Sequence, residues 1–162
     1  MADAASVTVS ATVLPDEIAK TISGSMTVTP ADASEKWYVK VTNVTTSHGD
    51  LIQGNFLNEE AVGQAHDAVD VADEVKFLFV KNTGTTDGSS STTDGICISL
   101  NDTTPAHDLS QIIVVGAGES WYARLPKETV AHIHAVGCNQ AVSGAASGNV
   151  QCIVAALIHD VA

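Results

Sequence analysis

At 162 residues, 44% of them apolar, the chain has the size of one domain with one core and leaves no room for two full ones. Nineteen acidic residues against seven basic ones give a formal charge of −12, and the basic residues are scattered from Lys20 to Lys127, so nucleic acid is excluded as a partner. The longest apolar run, Val150 to Ile158, is interrupted by Gln151 and falls short of the ~20 residues of a membrane helix, so no membrane partner is expected.

Only seven residues are Phe, Trp or Tyr, so the core must be built from small and β-branched side chains, each contributing less burial than an aromatic ring. Such a subunit gains from partners that cover more of its surface, and a homo-oligomer is expected. Cys97, Cys138 and Cys152 form an odd set without CxxC spacing, and the opening MADAASVTVS lacks the basic and apolar regions of a secretion signal. No disulfide framework follows, and a soluble protein made in a reducing cytoplasm is expected.

In chain order, Val7, Val9, Ala11 and Val13 alternate with Thr8, Ser10 and Thr12, the period-two pattern of a strand that Pro15 ends. Residues 1–14 are therefore read as an N-terminal arm or edge strand, and residues 15–162 as a single sandwich domain. Ile18 to Thr29 reads as a second strand pair, or as one strand bent at Gly24. In Lys36 to Val44, Trp37, Val39 and Val41 share one face and Tyr38, Lys40 and Thr42 the other. A short strand near Leu51 and Ile52 and an irregular acidic excursion follow. Val75 to Val80 (VKFLFV) has apolar residues on both faces, with Val75, Phe77 and Phe79 on one, which marks a central strand.

The loop NTGTTDGSSSTTD, residues 82–94, holds no apolar residue and should be mobile or held by a neighbour. Ile96 to Leu100 and Gln111 to Val115 read as strands on either side of an NDTTPAHD loop. The glycines at 116 and 118 suggest a hairpin turn into a strand carrying Trp121, Ala123 and Leu125. Thr129 to Val136 is a further strand, and Val150 to Ile158 is a buried strand because it lacks a polar helical face. The pattern predicts an all-β fold: an antiparallel β-sandwich of eight to ten strands, jelly-roll-like in topology.

Candidate chemistry is sparse. His132 and His134 in AHIHA have the two-residue spacing that places both side chains on one strand face, as in metal-binding HxH pairs. No carboxylate follows them and only His159 stands as a distant third ligand, so no metal or other cofactor is expected and His132 and His134 remain its only candidates. Cys138 would need His134 as its base to act as a nucleophile. The acidic stretches Asp67 to Glu74 and Asp87 to Asp94 match no calcium loop and read as solvated loops. Trp37 with Tyr38 and Trp121 with Tyr122 each place one ring per face, the outward tyrosine near Lys40 or Arg124 suiting a subunit contact.

The segments KFLFVKNTG, GICISL, IIVVGAGESWYARL, VAHIHAVG and NVQCIVAALI resemble, in order and turn chemistry, the small β-sandwich virion proteins of tailed phages, of the capsid decoration or cement type. The resemblance covers roughly Val75 to Ile158, about half of the chain. It implies a non-enzymatic subunit on the outer capsid surface, a homotrimer whose partner is the major capsid protein. Val7, Val9, Tyr122 and Arg124 are its expected interface residues. The alternative is a tail-fibre or head-fibre module that recognises a host surface glycan through an aromatic platform near Tyr122 or the Asn82 to Asp94 loop.

Overall fold

The computed structural model describes residues 4–13, 20–57, 67–100, 113–139 and 144–161. The expected turn at Pro15, the position of His66 and the NDTTPAHD loop lie outside the described residues. Among the described residues the chain runs through ten strands and one 3-10 turn, without an α-helix. They fall into two compact units, Met1–Ala33 and Ser34–Ala162.

The first unit is a hairpin of β1 (Ala5–Val13) and β2 (Lys20–Val28), paired antiparallel from Ala5↔Val28 to Val13↔Lys20 without a register break. Alternation sorts its described side chains by face. Val7, Val9, Ala11, Ile22 and Met26 share one face, while Ser6, Thr8, Ser10, Ser23, Ser25 and Thr27 form the other. β1 is an edge strand paired along its whole length with β2, which passes Gly24 without a bulge, and contacts divide the chain into units at 33/34.

The second unit contains β3 (Glu35–Val44), β4 (Gly49–Asp50), β5 (Glu74–Asn82), β6 (Gly95–Ser99), β7 (Ile113–Val115), β8 (Ser120–Thr129), β9 (His134–Cys138) and β10 (Val150–His159). β3 pairs with β10, β4 with β9, β5 with β8 and β6 with β7, all antiparallel, as if one long hairpin had been rolled up. The lateral pairs β10–β5 and β9–β6 join these into two four-stranded sheets, ordered β3-β10-β5-β8 and β4-β9-β6-β7. That winding is the eight-stranded jelly roll.

Between the sheets, Tyr38, Leu78, Val80, Val154 and Ala156 of the first share one core with Ile96, Ile98, Val115 and Ala135 of the second, joined by Leu51, Ile52 and Phe56. Each fully buried Leu, Ile or Val contributes about 1.5–3 kcal/mol. The Tyr38 hydroxyl donates to the Gln53 carbonyl (3.0 Å), so the one tyrosine in the core is satisfied.

Three local expectations are corrected. A register shift between Val75 and Phe77 sends Val75 to the core beside Leu78 and Val80, away from the face of Phe77 and Phe79; a bulge inserts one residue and reverses the alternation. The glycine turn after β7 is no hairpin, because β7 pairs with β6 while β8 pairs with β5. It carries the chain from one sheet to the other, with Gly118 at φ 78 and Glu119 N–H donating to the Gly116 carbonyl at 2.9 Å. Thr129 to Val136 is not one strand either: a 3-10 turn, Val130–His132, separates β8 from β9, held by Val130 N–H to Asp73 O (2.9 Å) and Ala131 N–H to Val71 O (3.0 Å).

Asn82, wholly buried, secures the loop that leaves β5. Its Nδ2 donates to the carbonyls of Asp94 (3.0 Å) and Val115 (3.3 Å), and its Oδ1 accepts from Gly84 N–H (2.9 Å). Asn82→Ala strands these groups and should cost about 1–3 kcal/mol, read from the urea midpoint. A loss under about 0.5 kcal/mol would contradict this role.

Candidate functional site

The outward face of sheet β3-β10-β5-β8 is the chain's most distinctive surface. Strand register lays its residues in rows across the sheet. Trp37, Leu157, Phe77 and Arg124 form one row, Val39, Ala155, Phe79 and Tyr122 the next, and Val41, Ile153, Lys81 and Ser120 a third. Trp37 meets Phe77 edge-on, with ring centroids 6.4 Å apart. Val39 and Val41 are 49% and 57% exposed, although they belong to an otherwise apolar sheet face. Phe77 and Leu157 of the first row are themselves buried, so the open apolar surface is the part around Val39 and Val41, and an exposed apolar patch marks a contact site more often than a scattered hydrophobe does.

Tyr122 and Arg124 both lie on this face, but Tyr38 does not. Tyr38 points into the core and Trp37 outward, so the β3 pair is turned opposite to the expected outward tyrosine beside Lys40. Tyr38 finds a partner for its hydroxyl in Gln53, which lets it occupy the interior. Val7 and Val9 lie half-buried on the apolar face of the hairpin.

The two histidines of AHIHA are not brought together. The 3-10 turn breaks the strand alternation between them, so His132 meets Glu128 (2.8 Å) while His134, at the start of β9, meets Asp50 (3.1 Å). His159 is elsewhere, against the Ser34 hydroxyl at 3.0 Å. His48 stands edge-on to His134, with ring centroids 6.1 Å apart. Among the described residues no three His, Cys, Asp or Glu side chains converge as a metal site. Asp50 and His48 were not legible as partners of His134, since only the β4–β9 pairing brings them near it.

Beside Asp50 lies a cleft of about 220 Å³, with Thr42, Asn43, Thr45, Ser47, Asp50 and Gln53 supplying its polar lining. Thr45 and Ser47 bond to each other: the Thr45 hydroxyl donates to the Ser47 carbonyl (2.9 Å) and accepts from Ser47 N–H.

The cysteines are buried and free. Cys97 on β6 and Cys138 on β9 pack with Val136, and their mutual hydrogen bond, with burial, pushes the Cys97 thiol far up. Burial pushes Cys152 up to about 12. His134 is no base for Cys138, since four residues of strand separate them by roughly 13 Å.

The acidic stretches are not merely solvated. Asp73 is buried and accepts from Asp70 N–H (2.8 Å) and Val161 N–H (3.2 Å), while Asp94 is buried and accepts from Ser147 N–H (2.8 Å) and Oγ (2.7 Å). The apolar-free loop is held by its own groups. Asp87 Oδ1 accepts from Ser90 N–H (2.7 Å), Ser89 N–H (2.9 Å) and Ser89 Oγ (3.0 Å), and Gln151 N–H of β10 donates to Thr85 O at 2.8 Å.

No family model, curated protein or solved structure significantly matches this chain.

Two outcomes follow from these environments. The amides of Ser90 and Ser89, then the Ser89 hydroxyl, lower the Asp87 carboxyl from the usual 3.8 to about 2. A folded-state value below the unfolded one gives support that is present above about pH 4 and lost as pH falls through about 2. NMR titration should show Asp87 protonating near 2 with loss of amide protection at Ser89 and Ser90; a midpoint at or above 3.8 would refute the turn. Thiol labelling should leave Cys97 and Cys152 unmodified in the native protein at pH 8 and modify both after unfolding. Rapid native labelling of either would show an accessible thiolate.

Proposed function

We propose that this chain is a non-enzymatic virion structural protein of the capsid-decoration type, which binds the outside of a protein shell as a homo-oligomer and reinforces it through contacts alone. The outward apolar face of sheet β3-β10-β5-β8 carries this reading. A sheet face carrying Trp37, Val39, Val41, Ile153, Phe79 and Tyr122 is suited to being covered, and its Lys81 offers a cation to an acidic or polar partner. The major capsid protein is the partner that the proposal assigns to this face. Stability gained on the shell would then come by mass action, since the partner binds only the folded subunit.

A second reading, a fibre-type module that recognises a host surface glycan, draws on the polar cleft beside Asp50. Its amide, hydroxyl and carboxylate lining suits a hydroxyl-rich ligand, although among the described residues no aromatic ring lines it for stacking. A glycan array separates the two readings, because shell binding needs no sugar.

The double variant Val39→Lys, Val41→Lys places two charges on the exposed part of the apolar face. It should reduce binding to heads lacking the protein by about tenfold or more, while the melting temperature stays within about 2–4 °C of the native one. Heads carrying the native chain should survive heat and low salt better than bare heads. Equal survival, or unchanged binding by the double variant, would end the proposal.

A further inference from the structure

We infer that the β1–β2 hairpin is a self-association module in which β1 pairs antiparallel with β1 of a second copy, making a four-stranded sheet β2-β1-β1-β2 across a twofold axis. This deepens the homo-oligomer part of the function proposed above and is independent of the shell.

A two-stranded sheet is marginal in water, and three or more strands with a common apolar face are needed for stability. Among the described residues the hairpin has two strands, and β1 has β2 on one side of it. Sheet edges in soluble proteins are normally protected by lysine, proline, a bulge or a short strand. β1 has none of these: it is nine residues long, unbulged, and free of charge and proline. β2 is the poorer edge, since it carries Lys20 and has Gly24 at its centre.

The occupant is a second copy for two reasons. First, β1 is self-complementary. With the twofold axis at Val9 and all nine residues overlapping, Val9 faces its own copy, Val7 faces Ala11, and Thr8 faces Ser10. Apolar residues then stay on one face and hydroxyls on the other, which is the isologous arrangement of a twofold contact. Second, each copy carries a charge of −12, so two copies repel over most of their surface, whereas β1 has no ionisable side chain. It is a place where copies can approach without a like-charge penalty.

Charge sets the sign of the test. Screening weakens repulsion between the acidic surfaces, so self-association should tighten as salt rises, whereas binding to a basic partner would loosen. In sedimentation of the full chain at about 0.05 M and about 0.5 M salt, dimers are expected at both, with the lower dissociation constant at high salt. Val9→Lys and Val9→Asp should each weaken the dimer by about tenfold or more. An equimolar mixture of the two should regain it, because unlike charges then meet at the twofold axis. That recovery separates lost pairing from a lost hairpin. The Val39→Lys, Val41→Lys chain should remain dimeric, so failure of shell binding and failure of self-association are read apart. A native monomer at both salts, association that weakens with salt, an unaffected Val9→Lys dimer, or a mixture that stays monomeric would each overturn the inference.

Discussion

Hydrogen bonding of β10 to β3 on one side and to β5 on the other is the constraint on which the jelly roll rests. β10 comes last in the sequence, yet it lies inside its sheet and delivers Val150, Cys152, Val154, Ala156 and Ile158 to the core. The first sheet therefore cannot be completed until β10, the last of these eight strands, has returned beside β3, the first of them. Local polar contacts secure that return: Lys36 bonds Asp160 at 2.6 Å and also Asp67, and these two carboxylates, Asp160 foremost, hold its ammonium above the ordinary range. Such partly exposed pairs contribute little energy and mainly fix position. Nested pairing of this kind is rich in distant contacts, which places the fold among slow folders.

Strand existence was legible because period-two alternation is a local property. VKFLFV and VQCIVAALI announced interior strands, and both lie inside the first sheet. What alternation cannot state is which face turns inward. In β3 the sequence offers one face of Trp37, Val39 and Val41 and another of Tyr38, Lys40 and Thr42, and hydropathy favours burying the first. The structure buries Tyr38 and turns the valines out, because Gln53 satisfies the tyrosine hydroxyl and Lys40 reaches the Gln53 carbonyl from the strand edge at 2.9 Å. That inversion produces the candidate surface, so the site was hidden for the same reason that it exists.

Connections were less legible than strands. A Gly-Ala-Gly turn between two strands has the chemistry of a hairpin, and only the pairing partners of β7 and β8 show it to be a crossing between sheets. Asp73 and Asp94 looked like solvent-facing acids since their donors, Val161 and Ser147, are far along the chain. His132 and His134 show the converse: their spacing has meaning only on a continuous strand, and the carbonyls of Val71 and Asp73 capture the intervening turn. In each case a distant backbone group decided the outcome.

Charge distribution joins the two surfaces. Lys36, Lys40 and Lys76 are all engaged within the subunit, the last with Glu74 at 2.9 Å, so they do little to offset the acidic exterior toward a partner. An acidic protein that assembled would therefore concentrate its contacts where charge is sparse. The outward sheet face around Val39 and Val41, whose three rows carry only Lys81 and Arg124 as charged residues, and the uncharged edge of β1 both meet that condition. They differ in kind. A sheet face offers area and shape, which select a particular partner surface, whereas a strand edge offers backbone hydrogen bonds that any matching strand can take. Selectivity at β1 would then come from its alternation, which an antiparallel copy of itself matches.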